Sequence, residues 1–221
     1  MSVNIDSYQK IIADLAKNKV QLIAVSKTKP QQDILDLYEL GQKDFGENYV
    51  QELVEKASGL PQDIHWHFIG HLQSNKVKYI VPFVHLIHGV DSEKLLKEIN
   101  KEAQKNNRII NVLLQVHIAL EETKFGFDEL SLLEFIQSNR LREYANIKIC
   151  GLMGMASFSN DQRLVQNEFA HLKSIFNKAQ TIIDSTYFNQ LSMGMSSDYQ
   201  LAMQQGSTMV RIGSLLFGAR G

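Results

Sequence analysis

Short, almost fully apolar runs alternate with amphipathic segments along this chain of 221 residues, and that alternation restricts its fold more than any other feature. The first apolar run, residues 20–26, shows no polar–apolar alternation, which is typical of a parallel strand buried on both faces. From Pro30 onward, apolar residues at helical spacing predict a helix. The same pair of elements recurs along the chain. The predicted strands are residues 20–26, 44–47, 65–69, 84–88, 109–118, 147–153, 188–192 and 209–212.

Strands that alternate with helices throughout a chain predict a parallel sheet, and eight such units close naturally into a (β/α)8 barrel. We therefore expect an α/β protein with one barrel domain over residues 1–221, because no change in composition separates the units. An open, doubly wound sheet is the alternative. It would need a glycine-rich loop after the first strand, where this chain has Ser26-Lys27-Thr28-Lys29.

Composition argues against several classes of protein. A formal net charge of -1 provides no electrostatic attraction to nucleic acid. The single cysteine, Cys150, cannot form a disulfide within the chain, which fits a reducing compartment, and its apolar neighbours predict a buried side chain. The sequence has no recognisable secretory signal or membrane-spanning run, and its histidines follow no metal-ligand spacing. We expect a cytoplasmic protein without a metal or a membrane partner.

A closed barrel would bring distant segments of this chain to one rim. Binding groups of such barrels lie at the carboxyl ends of the strands, and phosphates bind beside the last two strands. Lys27 follows the first predicted strand, and Gly213 with Ser214 follows the last. Because the first and last strands are neighbours in a closed barrel, we expect these residues to meet in one pocket.

The loop after the seventh predicted strand has the composition of a phosphate site. It begins with Ser192, Met193 and Gly194 and leads into a helix, whose first amides favour an anion. Gly213 and Ser214 offer a second set of amides and a hydroxyl. A lysine amine beside two such sets suits pyridoxal 5'-phosphate (PLP), an aldehyde that carries a phosphate. The alternative is that these small residues only form turns.

Lys27 is the predicted attachment point of PLP, as a Schiff base, because the apolar strand before it directs its side chain at the mouth of the barrel. The alternative is an ordinary solvated lysine at the end of a strand. Lys29 is the nearest competitor for the covalent role. Lys76 and Lys124 also border predicted loops.

A charged residue, Arg211, lies within the apolar eighth strand and needs a partner there. One interpretation is a salt bridge across the barrel with a strand carboxylate such as Glu47. The other interpretation places its guanidinium against the ring nitrogen of PLP, to which it can only donate a hydrogen bond. That nitrogen would then stay unprotonated, and the ring would be a weak electron sink. Asp198 is expected to cap the helix that follows the phosphate loop and to face away from the phosphate.

Two other residues follow strands at the same rim. Asn48 ends the second predicted strand, where it either caps the next helix or contacts a ligand. His71 follows the third strand, where it either lines the pocket or serves its own loop. Both are candidate PLP-binding residues.

Five segments of the chain carry a resemblance to a known family: Ala24 to Pro30, Phe45 to Glu52, Trp66 to Lys76, Gly151 to Met153, and Leu191 to Arg220. Together they resemble the YggS/PROSC family of PLP homeostasis proteins over nearly the whole chain. The resemblance implies a barrel like the amino-terminal domain of bacterial alanine racemase, with PLP on Lys27. It implies phosphate binding around Ser192 to Gly194 and at Gly213 and Ser214, with Arg211 at the ring nitrogen. It also implies a cytoplasmic, mostly monomeric protein without established catalytic turnover.

Three functions compete at this point. Proteins of that family bind and buffer PLP, so a carrier that makes transient contact with PLP-dependent apo-enzymes is expected. The second is an amino-acid racemase. Racemases of this barrel type use a carboxyl-terminal β-domain, which a chain ending at Gly221 is not expected to have. They also need a second acid or base opposite Lys27, and the sequence offers no evident candidate. The third is a Schiff-base aldolase without PLP, which leaves Arg211 and both phosphate loops unexplained.

Overall fold

Eight parallel strands form a closed barrel in the computed structural model, which describes residues 3–121, 125–183 and 186–218. Each strand pairs with the next one in the chain, and the first also pairs with the last. The predicted (β/α)8 barrel is confirmed. The strands are β1 (Gln21–Val25), β2 (Asp44–Glu47), β3 (His65–Phe68), β4 (Leu86–Val90), β5 (Ile110–Val116), β6 (Ile147–Gly154), β7 (Gln190–Met195) and β8 (Met209–Ile212).

Helices cover the outside of the barrel. Several begin at a side-chain cap: Asn4, Ser92, Asp128 and Asp161 each accept a hydrogen bond from a backbone amide of the first helical turn. Single 3-10 turns precede α4 and follow α6. The helices are α1 (Ile5–Lys17), α2 (Gln31–Glu39), α3 (Val50–Gly59), α4 (Val77–Ile80), α5 (Glu93–Lys105), α6 (Glu129–Gln137), α7 (Gln162–Gln180), α8 (Tyr199–Gln204) and α9 (Ser214–Phe217).

The apolar core has two parts. The larger part lies between the helices and the outer face of the strands, where α5 contributes Leu95, Leu96 and Ile99. The smaller part lies inside the barrel and joins side chains from β1, β4, β5, β6 and β8. Its buried members are Ile23, Leu86, Leu113, Cys150, Met153 and Met209. The predicted burial of Cys150 is confirmed, and that burial raises the pKa of its thiol.

Strand β7 ends at Met195 and not at Ser192, so the predicted loop of Ser192, Met193 and Gly194 is instead part of the strand. Serine is tolerated there because its Oγ accepts a hydrogen bond from Arg211 inside the barrel, at 2.6 Å. Gly194, with φ of 96°, is needed because α8 packs closely against the strand: a Cβ at this position would lie 2.5 Å from the Cβ of Ala202. Turn-forming residue types were therefore misleading about where the strand stops.

Replacing Gly151 with alanine is expected to destabilise the barrel by about 3 kcal/mol or more. Gly151 lies in β6 with φ of 155°, and a Cβ there would overlap the backbone carbonyl oxygen of Gln190 on β7. Urea denaturation of the variant measures the loss. Gly41→Ala is the matched control, because its φ is also positive at 96° but no atom lies within 4 Å of its added Cβ. A loss equal to that of the control would contradict the packing argument.

Candidate functional site

A cavity of about 490 Å³ opens at the carboxyl ends of the strands. Its size is that of a small-molecule site, and its position is where (β/α)8 barrels carry their binding groups. Side chains and backbone from the ends of six strands or from the segments after them line it. They are Val25, Lys27, Lys29, Asn48, Ile69, Met155, Phe158, Met195, Ser196, Ser197, Arg211, Gly213, Ser214, Leu215 and Gly218.

Lys27 reaches this cavity because of the parity of β1. Alternate residues of a strand share a face, and Ile23, Val25 and Lys27 follow one another at that spacing. Ile23 lies in the apolar cluster inside the barrel, and the other two line the cavity. The interpretation of Lys27 as a side chain directed at the barrel mouth therefore agrees with the structure.

A buried ion-pair network holds the backbone on both sides of Lys27. The Lys56 Nζ donates to the carbonyl oxygen of Ser26 at 2.7 Å, to Glu47 Oε1 at 2.8 Å and to Glu52 Oε1 at 2.7 Å. Glu52 also accepts a hydrogen bond from the amide of Thr28 at 2.6 Å. Since Ser26 and Thr28 flank the lysine, this network fixes the direction in which Lys27 leaves the strand.

The partner of Glu47 is thus Lys56, and the alternative that paired Glu47 with Arg211 is wrong. Glu47 is fully buried and accepts a further hydrogen bond from the Ser26 hydroxyl at 2.7 Å. Burial raises the pKa of Glu47, and the Lys56 ammonium opposes that rise. Its Oε2 is buried without a hydrogen-bond partner among the described residues.

The other lysines considered for the covalent role are hydrogen-bonded elsewhere, lie away from the cavity or fall outside the described residues. Lys29 also lines the cavity, but its Nζ donates to the carbonyl oxygen of Phe217 at 2.8 Å and so ties the loop after β1 to α9. The ammonium of Lys76 lies 5.7 Å from the ring centroid of Tyr79, and this lysine is not among the residues that line the cavity. Lys124 falls outside the described residues.

Arg211 presents a fixed positive charge at the floor of the cavity. Its Nη1 donates to Ser192 Oγ at 2.6 Å, and its Nη2 donates to the carbonyl oxygen of Gly154 at 3.1 Å. Burial lowers the pKa of the guanidinium to about 10, and Asp198 acts weakly against that effect, so it stays charged at neutral pH. Because a guanidinium can only donate, a ligand atom that meets it must be an acceptor.

Two short loops of small residues form the wall beside Arg211. Gly213 donates its amide to Ser196 Oγ at 3.2 Å, which joins the loop after β8 to the loop after β7. Ser214 begins α9, and the first amides of a helical turn have no acceptor within their own helix. Asp198 occupies the cap position of α8, as expected, but its carboxylate accepts from the amide of Met195 at 2.6 Å and from no helical amide.

The residues predicted to form a phosphate loop after β7 therefore lie outside the cavity lining. Ser192 is buried and hydrogen-bonded to Arg211, and neither it nor Met193 nor Gly194 lines the cavity. Ser196 and Ser197 take the places that the sequence interpretation gave to these residues. The sequence signal for these two residues is the serine pair directly before Asp198 and the helix that follows it, which belongs to the same candidate segment.

The structure places Asn48 at the cavity and His71 outside the cavity lining. Asn48 lines the cavity, and its Oδ1 is buried without a hydrogen-bond partner among the described residues. His71 is exposed outside the cavity lining, where its Nδ1 lies 3.0 Å from Asp91 Oδ2 and its ring stacks on Phe125 at 4.1 Å. The alternative of a role among the loops describes His71 better, because Asp91 and Phe125 follow β4 and β5.

Residues 4–221 of the chain match the family model "Alanine racemase, N-terminal domain". A pyridoxal phosphate homeostasis protein of Aquifex aeolicus is 40% identical over 209 residues, which are 94% of this chain and 90% of that protein. The chain belongs to the pyridoxal phosphate homeostasis protein family. The family predicted from the sequence motifs is confirmed.

Solved structures agree with the fold. PipY of Synechococcus elongatus PCC7942, solved with PLP bound, is 35% identical and superposes with a TM-score of 0.83 over 94% of this chain and 98% of that one. Alanine racemase of Bartonella henselae is 15% identical, with a TM-score of 0.71 over 96% of this chain and 59% of that one, and shows the shared barrel alone. None of the described helices is long and apolar enough to cross a membrane.

Proposed function

We propose that this chain binds PLP and serves in intracellular PLP homeostasis, holding PLP as a Schiff base on Lys27. The observation that carries the proposal is the convergence of Lys27, Arg211 and the loop pair of Ser196 and Gly213 on one cavity. The Aquifex relative is named for PLP homeostasis, and PipY binds PLP in a solved structure, which supports the same ligand here.

The residues of the cavity match the chemical groups of PLP. Lys27 supplies the amine that an aldehyde needs. Ser196 and Ser214 supply hydroxyls, and the amides at the start of α9 supply further donors, of the kind that hold a phosphate. Gly213 contributes by donating its amide to Ser196 Oγ, which holds that hydroxyl at the cavity. Arg211 supplies a donor for the acceptor nitrogen of the pyridine ring.

Asn48 adds an observation that points to a ligand. Its buried Oδ1 accepts no hydrogen bond from the described residues, and leaving a buried acceptor without a partner costs about 1–3 kcal/mol. A hydroxyl donor on the bound molecule would remove that cost. Ser192 supports the proposed site indirectly, through its hydrogen bond with Arg211. Met193 and Gly194 support it only as parts of β7. His71 lies outside the cavity lining.

Bound PLP supplies an aldehyde that joins an amine reversibly, and reversibility suits storage and release. The protein supplies the amine and the phosphate donors. We further propose that it acts as a cytoplasmic monomer of one barrel domain, carries PLP without catalytic turnover and makes transient contact with PLP-dependent apo-enzymes.

The test is a spectrum followed by covalent trapping. Protein loaded with PLP is expected to absorb visible light, and borohydride reduction is expected to fix the label on the peptide that contains Lys27. A colourless protein that cannot be loaded with PLP would refute the proposal. A label on another lysine would refute the assigned position but not PLP binding.

The racemase alternative needs its own measurement. PLP-loaded protein is incubated with single L- and D-amino acids, and the enantiomers are separated by chiral chromatography. The carrier proposal expects no interconversion above that produced by the same concentration of free PLP. Interconversion that disappears in Lys27→Ala would establish the enzyme instead.

A further inference from the structure

A continuous chain of polar side chains crosses the inside of the barrel and ends at Arg211. Asp44 Oδ1 lies 3.0 Å from His67 Nε2, and His67 Nδ1 lies 2.9 Å from His88 Nε2. His88 Nδ1 lies 3.0 Å from Ser192 Oγ, which accepts from Arg211 Nη1 at 2.6 Å. The contact of His88 with Ser192 joins β4 to β7, which are not neighbours, so the chain passes through the interior. Asp44, by contrast, begins β2 at the opposite mouth of the barrel.

The carboxylate at one end of this chain and the neutral histidines determine the direction of its hydrogen bonds. An ionised carboxylate only accepts, and a neutral imidazole carries a single proton. His67 therefore donates through Nε2 to Asp44, and its unprotonated Nδ1 accepts from Nε2 of His88. The unprotonated Nδ1 of His88 then accepts the hydroxyl proton of Ser192, whose oxygen accepts from Arg211. Both neutral imidazoles must carry their proton on Nε2.

Burial is consistent with neutral rings between the two charges. The exposed fraction is 1% for His67 and 0% for His88. Burial lowers the pKa of both histidines, against the opposing effect of Asp44 in the case of His67. Burial is the largest single effect on the pKa of Asp44 and would raise it, but the interactions with His67, Gln21 and His65 together outweigh burial, and the net shift is downward.

We propose that His88 and Ser192, anchored through His67 on Asp44, are positioning residues that orient the Arg211 guanidinium toward the cavity. With Nη1 committed to Ser192 and Nη2 to Gly154, the guanidinium plane cannot turn without breaking the chain. The inference rests on the proposed function only where it concerns bound PLP, since the hydrogen-bond chain belongs to the protein itself.

The first test reads the direction of the chain without PLP. In ¹⁵N-labelled full-length protein near neutral pH, the ring-nitrogen resonances of His67 and His88 are expected to show the Nε2–H tautomer for both. An Nδ1–H tautomer or an imidazolium at either position would overturn the proposal. This result stands whether or not the chain binds PLP, so its failure is distinguishable from failure of the proposed function.

The second test breaks the chain beside Arg211. Ser192→Ala removes the acceptor of Arg211 and the donor to His88, so the Nδ1 resonance of His88 is expected to move and the dissociation constant of PLP to rise about tenfold. The absorbance maximum of bound PLP is also expected to shift. Ser207→Ala is the matched control, because Ser207 is also a buried serine but donates to the carbonyl oxygen of Met193 at 2.8 Å, outside the chain. Equal effects from the two variants would overturn the proposal.

The third test changes Asp44, at the mouth of the barrel opposite the cavity, and can replace the second test if Ser192→Ala fails to fold. Asp44 faces His65 at 3.1 Å and Gln21, while the His85 ring stacks on that of His65. Asp44→Asn is expected to move the ring resonances of both buried histidines and the absorbance of bound PLP.

The control for this variant is Asp63→Asn. Asp63 pairs with Lys43, which immediately precedes β2, and has no contact with the histidine chain. It is expected to change neither the ring resonances nor the absorbance. An Asp44→Asn protein with unchanged resonances and unchanged absorbance would overturn the proposal.

Discussion

Lys27→Ala is expected to abolish covalent attachment of PLP completely and to remove the visible absorbance of the loaded protein. A Schiff base needs a primary amine, and Lys27 is held toward the cavity by the buried network that binds Ser26 and Thr28. The fold is expected to survive, because the replaced side chain lies at the cavity and not in the core. Absorbance after loading and mass spectrometry after borohydride reduction measure the effect.

Lys29→Ala is the matched control for this prediction. Lys29 lines the same cavity two residues along the chain, but its ammonium is bound to the carbonyl oxygen of Phe217. The control is expected to retain the label and the absorbance, with weaker binding at most. Retention of a borohydride-stable label in Lys27→Ala, together with its loss in Lys29→Ala, would reverse the assignment of the two lysines.

Lys56→Met is expected to destabilise the protein by about 3–5 kcal/mol, because it leaves a buried carboxylate without its counter-charge. Lys56 and Glu47 are both almost fully buried, and the second oxygen of Glu47 already has no hydrogen-bond partner among the described residues. Loss of the ammonium also releases the carbonyl oxygen of Ser26 beside Lys27. Urea denaturation measures the stability, and PLP titration is expected to show weaker binding.

Two variants make this prediction specific. Lys43→Met breaks a solvent-exposed ion pair with Asp63 and is expected to change the stability far less than Lys56→Met does. The double variant Glu47→Gln with Lys56→Met removes both charges and is expected to recover part of the loss. A single Lys56→Met variant as stable as Lys43→Met would show that the buried pair does not stabilise the fold.

The loss in Lys56→Met is also expected to depend on pH. Burial raises the pKa of Glu47 in the folded state, and removing the opposing ammonium raises it further. A folded-state pKa above that of the unfolded chain means that the native state binds the proton more tightly, so stability gains as pH falls through that range. The deficit relative to the unmodified protein should therefore be smaller near pH 5 than near pH 8.

The barrel and the meeting of Lys27 with Arg211 could be predicted from the sequence because both follow from local pattern and topology. Strands buried on both faces leave continuous apolar runs, and their closure makes β1 and β8 neighbours. Nothing further was needed to place the residue after the first strand beside the loop after the last.

The interior polar groups could not be predicted in this way. His88 meets Ser192 across 104 residues and between strands that do not pair, so neither residue reveals its partner by spacing. Lys56 belongs to the inward face of α3, where sequence alone assigns a lysine to solvent. Ser192 was assigned to a phosphate loop because the guanidinium and imidazole that make it acceptable in a strand come from elsewhere in the chain.

The bond from Lys29 to Phe217 spans 188 residues and has a consequence for protein synthesis. Lys27 is translated well before the groups proposed to hold a phosphate next to it, which follow β7 and β8. The nascent chain therefore carries Lys27 before the rest of the proposed site exists, and loading with PLP is expected to wait until β8 has been translated and the barrel has closed.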